Sequence, residues 1–178
     1  MKIIKDGGHR LFERDPETAA IVSEMLLDLE KNGMDAVRKY STKFDEWDPD
    51  SFELSESEIQ KAISSLDEQI IQNTDYCQNN VREFAYKQLS TLLPLEVELR
   101  PGVILGHKLI PVNSVGSYVP GGVYPMFGSA QMSIIPAKVA GVKNIYACTP
   151  PVKGEGYYPA TINAMKNFED VTAASLKS

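Results

Sequence analysis

The chain has 178 residues, 43% of them hydrophobic and 24% charged, with a formal net charge of -6. That length suits one good core, or a small domain plus part of another, in an ordinary globular protein. An acidic balance argues against nucleic acid or an anionic membrane as partner, and no run of about 18 apolar residues offers a membrane span.

The first ten residues, MKIIKDGGHR, turn polar too soon for a signal peptide. Cys77 and Cys148 have no motif spacing, which predicts a reduced, cytoplasmic chain without a long-range disulfide. The histidines, His9 and His107, lie far apart and in no metal-ligand pattern.

Residues 1–93 read as a helical region. Asp15 caps a helix with Pro16 and Glu17 in its first turn, and Val22, Met25, Leu26 and Leu29 recur at helical spacing until Asn32-Gly33. A shorter helix carries Val37, Tyr40, Ser41 and Phe44 and breaks at the run Trp47-Asp48-Pro49. Ser55 and Glu58 form a capping box, with Leu54 and Ile59 as its hydrophobic staple. A further helix is predicted over residues 68–89, with Ile70, Thr74, Cys77, Val81, Phe84 and Ala85 on its buried side. The carboxylates of this region, such as Glu17, Asp28, Glu30, Glu56 and Glu58, read as solvated faces and capping groups.

Residues 94–178 read as an incomplete α/β nucleotide-binding domain. Residues 95–99 and 103–110 form a predicted hairpin about the turn Arg100-Pro101-Gly102, with His107 in a structural or solvent-facing place on the returning strand. Pro111 limits further pairing. Residues 114–119 form a predicted parallel strand that ends in Pro120-Gly121-Gly122, where glycines allow a ligand to approach main chain closely. Ser129 is the expected N-cap of a helix over 130–140, whose free N–H groups could hold an anion. Pro136 should kink that helix or mark a late start. Residues 144–148 follow as the next strand, completing a βαβ crossover. Ligands of such sheets gather at the carboxyl ends of the strands, which places the loops 120–129 and 149–156 on one face. No GxGxxG and no GxxxxGK[ST] is present, and the Pro-Gly-Gly turn alone also fits a structural loop. Tyr118, at the strand end, fits either a ring or ribose contact or a core tyrosine. Cys148 reads as an inert strand cysteine.

Residues 159–167 predict a helix, and 169–173 the last available strand. A sheet this small leaves edges that need covering. The chain is therefore expected to be incomplete or to need a partner.

The strings SVGSYVPGG and MSIIPAKVAGVKNIYACTPP, extended back through KFDEWDP, LSESEI and ELRPGVILGHKLIPVNSVG, resemble the histidinol dehydrogenase family over nearly the whole chain. LGHKLIPVNSVG, VYPMFGSAQMS and YACTPP are closer to its sulfopropanediol-oxidising branch than to the histidine-biosynthetic branch. The resemblance implies an NAD- and zinc-dependent alcohol dehydrogenase, a homodimer with two α/β domains related by duplication. In the histidine branch L-histidinol is carried through the aldehyde to L-histidine by two hydride transfers. Tyr118 corresponds to the tyrosine that contacts NAD, and Pro120, Gly121 and Gly122 to the turn beside it. The family's other NAD contacts, its zinc ligands and its Glu-His acid–base pair match no position here. The tail NFEDVTAASLKS also departs from the family's strand and glycine-rich turn. The expectation is a truncated or frame-disrupted product, or one of two split parts, inactive alone, with weak or vestigial NAD binding and no zinc ligands of its own. A non-catalytic interaction module that pairs with a dehydrogenase is the alternative.

Overall fold

The computed structural model describes residues 15–121, 124–152, 156–166 and 171–175, the last as backbone. His9 and Gly122 lie outside the described residues. Four helices come first: α1 (Pro16–Asn32), α2 (Met34–Asp45), α3 (Glu56–Ser64) and α4 (Glu68–Leu89). The local chemistry sets their ends. The Asp15 side chain accepts from the Glu17 N–H at 3.1 Å, and Gly33, at φ 53°, closes α1. Ser55 and Glu58 form the reciprocal capping box, with the Ser55 N–H donating to Glu58 Oε2 at 2.8 Å.

The hairpin follows as β1 (Leu95–Arg100) and β2 (Val103–His107), antiparallel with a register irregularity between Glu98 and Arg100. Gly102, at φ 79°, makes the turn. The returning strand is shorter than expected and ends at His107, whose Nε2 donates to the Leu93 carbonyl at 2.9 Å. That bond ties the foot of the hairpin to the segment that follows α4.

The α/β part runs β3 (Ser114–Tyr118), α5 (Phe127–Val139), β4 (Asn144–Thr149), α6 (Pro159–Lys166) and β5 (Val171–Ser175). The three strands form a parallel sheet in the order β3-β4-β5, an incomplete Rossmann-like arrangement preceded by helices and a hairpin. Side-chain parity decides what faces the helices. On β3 Ser117 is buried and Ser114, Gly116 and Tyr118 are exposed; on β4 Ile145, Ala147 and Thr149 are buried and Asn144 and Tyr146 are exposed. The core gathers Val119, Ala130, Ile134, Ile135, Ile145, Ala147, Ile162 and Met165 with Leu54, Ile59 and Ala62, so α3 shares the hydrophobic interior of the sheet and its crossover helices. A polar tie reinforces that join, Lys166 Nζ reaching Glu56 Oε2 at 2.7 Å, and a second ties α4 to α6, the Gln78 amide donating to the Ala164 carbonyl at 3.2 Å.

Two local expectations are corrected. Ser129 is not the N-cap of α5: the helix starts at Phe127 after Met126, and the Ser129 N–H already donates to the Met126 carbonyl at 2.8 Å. The loop closes early because the Met126 N–H bonds the Pro120 carbonyl at 3.2 Å. On α4 the expected Thr74 and Ala85 are buried and Val81 is half-buried, but Ile70, Cys77 and Phe84 are exposed and Gln78 joins the buried stripe instead. The helix turns a small and polar line toward α5 and α6, and the bulkier side chains are left outside. Pro136 sits inside α5 on an exposed position, and the helix continues past it to Val139. Among the described residues no helix is long and apolar enough to cross a membrane.

Candidate functional site

The carboxyl ends of β3 and β4 lie side by side. Tyr118 pairs with Cys148 in the register, and the Val119 N–H donates to the Cys148 carbonyl at 2.7 Å. The chain then leaves the sheet through Pro120 and Gly121. Gly121 is buried, and an added Cβ there would lie 3.2 Å from Thr149 Oγ1 and 3.5 Å from Pro150 Cγ. The two strand-end loops are therefore packed at their bases, and a side chain at residue 121 would press the Thr149 hydroxyl aside by a few tenths of an ångström. Thr149 and Pro150 are the residues that sequence reasoning named only as part of a loop. Their role becomes visible only when the register sets them against Gly121.

Tyr118 stands 44% exposed on the sheet face opposite α5 and α6, since it shares parity with Gly116 and opposes Ser117. The Ser117 hydroxyl points the other way and meets the Ser133 hydroxyl of α5 at 2.6 Å. Tyr124, Met126 and Phe127, beyond Gly121, are exposed and add aromatic and thioether surface at the same end of the sheet. The loop after β4 is closed by paired backbone bonds between Val152 and Gly156, both 3.1 Å. Gly156, at φ 85°, sits where an added Cβ would come 3.2 Å from the Trp47 ring, so the segment after α2 lies beneath this loop.

The structure thus brings Tyr118, Pro120 and Gly121 to one strand end. Cys148 lies beside them, half-buried, and burial pushes its thiol above the ordinary range. A thiol held protonated is a poor nucleophile. Among the described residues no group of three or more His, Cys, Asp or Glu side chains converges where a metal ion could be held. The described residues thus offer no zinc set, and the strand end presents an exposed tyrosine beside a glycine that packs on the neighbouring loop.

Comparison with known proteins agrees with the architecture. A histidinol dehydrogenase homolog from Shouchella clausii is 50% identical over 144 residues, which is 81% of this chain and 34% of that relative. The sulfopropanediol 3-dehydrogenase of Ruegeria pomeroyi is 43% identical over 143 residues, 80% of this chain and 33% of the relative. The crystal structure of histidinol dehydrogenase from Elizabethkingia anophelis matches with a TM-score of 0.81 at 27% identity, over 92% of this chain and 38% of that one. The chain spans about a third of the length of the curated relatives it matches. With the sequence model described as histidinol dehydrogenase matching residues 9–173, the chain belongs to the histidinol dehydrogenase family.

Proposed function

We propose that this chain supplies one side of the NAD site of a zinc-dependent alcohol dehydrogenase and performs no oxidation alone. Residues 94–178 carry the nucleotide-binding half, and residues 1–93 its helical support. Tyr118, Pro120, Gly121 and Gly122 form the cofactor edge. NAD, when bound, accepts hydride from an alcohol such as L-histidinol or a sulfopropanediol. The chain's own share is binding and orientation: backbone at Gly121 close to the cofactor and the Tyr118 ring beside it. The observation that carries this reading is the join of Gly121 to Thr149 and Pro150 at the carboxyl ends of two parallel strands. The proton transfers and the zinc contacts belong to residues outside this chain, because hydride transfer needs a titratable group near the reacting carbon. The working assembly is a cytoplasmic dehydrogenase, homodimeric as a whole, in which this chain acts together with a complementary portion. The sulfopropanediol branch is favoured by the Ruegeria pomeroyi relative.

Two measurements test the reading. The purified chain should form no NADH from histidinol or sulfopropanediol with added zinc, and zinc-dependent turnover by the chain alone would overturn it. Saturation-transfer NMR should detect weak NAD binding that Tyr118→Ala reduces several-fold; identical signals in both proteins would remove Tyr118 from the site. A second reading, a non-catalytic module that binds an intact dehydrogenase, draws on the many exposed apolar side chains of β1 and β2. Capture of an intact family dehydrogenase without any NAD signal would favour it.

A further inference from the structure

Asn32-Gly33 is the one Asn-Gly pair in the sequence. It sits where α1 ends and α2 begins, and both residues are exposed. Gly33 has φ 53°, and an added Cβ there would meet nothing within 4 Å, so no side chain shields the peptide nitrogen that follows Asn32. In the closed helix both groups that could react are tied. Asn32 Nδ2 donates to Asp28 Oδ1 at 2.6 Å, and the Gly33 N–H donates to the Leu29 carbonyl at 2.9 Å. Ring closure onto the side chain also requires Asn32 to leave its helical backbone conformation. These restraints all belong to the last turn of α1. That helix buries none of its residues and touches chiefly α2, so its last turn opens at little cost.

We propose that Asn32 is a deamidation site gated by opening of the last turn of α1, and that its conversion loosens α1 while α2 and the sheet core stay in place. In the step the Gly33 nitrogen loses its proton and bonds to Asn32 Cγ. The Cγ–Nδ2 bond breaks and ammonia leaves with that proton, giving a succinimide. One water then opens the ring at either carbonyl to yield aspartate or isoaspartate, and nothing is oxidised or reduced. The product cannot restore the closed turn. A carboxylate at residue 32 would face the Asp28 oxygen that now accepts the amide, and like charges four residues apart on a helix repel. It would also add negative charge at the C-terminal end of α1, against the helix dipole. The same charge lies before the N-terminus of α2, whose cap Gly33 makes no side-chain hydrogen bond, and there the dipole favours it.

The purified full chain is incubated for days at mildly alkaline pH, folded and in guanidinium chloride, and residue 32 is followed by peptide mass mapping with isoaspartate detection. The expected result is conversion of Asn32 ahead of the other asparagines, about tenfold slower in the folded chain than in denaturant. Asp28→Ala, which frees the Asn32 amide, should speed the folded reaction several-fold. Unconverted Asn32 in the folded chain, another asparagine converting first, an equal rate in denaturant, or no response to Asp28→Ala would overturn the gated site. Asn32→Asp reads the consequence directly: amide exchange should quicken several-fold along α1, with α2 and Ile145 unchanged. Unchanged exchange in α1, or equal acceleration in β4, would overturn the claimed effect on the fold.

Discussion

At the level of single residues the chain shows both well-made and poorly satisfied polar contacts. Asp28 is well served: its carboxylate accepts from Lys39 Nζ at 2.6 Å, the Tyr40 hydroxyl at 2.7 Å and the Asn32 amide at 2.6 Å. These donors, Lys39 first, hold it far below the ordinary carboxylate value of 3.8. A depressed folded-state value stabilises above the unfolded value and is lost as pH falls toward the folded one. The tie between α1 and α2 should therefore be complete above about pH 4 and weaken only in stronger acid. Carboxyl NMR titration of Asp28 checks this, and a midpoint near 3.8 would contradict the bonded geometry. Asn163 is the opposite case. It is fully buried in α6, and among the described residues neither of its side-chain polar atoms has a hydrogen-bond partner. An unpaired buried amide costs about 1–3 kcal/mol. Asn163→Leu, close in size and without polar atoms, should raise the stability of the isolated chain by about 1 kcal/mol. A lower urea midpoint for the variant would show that the amide has a role the packing does not reveal.

At the level of elements the contrast lies between the crossover helices and the hairpin. α5 and α6 are anchored by Ile134, Ile135, Ile162 and Met165, all essentially buried. The hairpin of β1 and β2 has every residue exposed, with Leu95, Val97 and Leu99 alternating along one face. A lone pair of strands is marginal in water, so its register depends on backbone fit. Gly106 is decisive there, because an added Cβ would fall 2.1 Å from the Leu95 carbonyl oxygen, a backbone atom that cannot yield. Gly106→Ala should abolish exchange protection at Glu96 and Val97 while the amides of β4 keep theirs. Retained protection in the hairpin would mean that its pairing differs from the observed register.

At the scale of the molecule, stability is uneven. α1 buries none of its residues and touches chiefly α2, while α3, α5 and α6 share one core with the sheet. Segments with little buried apolar surface open locally, well below the free energy of global unfolding. Amide exchange should therefore be fast along α1 and slowest at Ile134 and Ile145; uniform protection would show that α1 is held by contacts not visible here. The same unevenness explains what could be read in advance. Local signals carry their own physical cause, so Asp15, the Ser55–Glu58 box, Gly33 and the span of α4 were all legible. The Pro-Gly-Gly turn after β3, the apolar centre of β4 and the family strings around Tyr118 also pointed to a parallel α/β unit. On α4 the expected Thr74, Val81 and Ala85 do face inward, but Phe84 and Cys77, which look like core residues by hydrophobicity, do not; Gln78 takes an inward place by bonding the Ala164 carbonyl across 86 residues of chain.

By itself the sequence determined the order of the elements, the caps of α1 and α3 and the family, because propensity, capping and turn geometry act over a few residues and a long ordered string is specific. Only the tertiary structure decided that Gly121 abuts Thr149 and Pro150, that Trp47 underlies the loop at Gly156, and that one face of the sheet is bare. Those facts depend on register and on which side of the sheet the crossovers take. Both are set by contacts between residues far apart in the chain, where no local pattern carries the information.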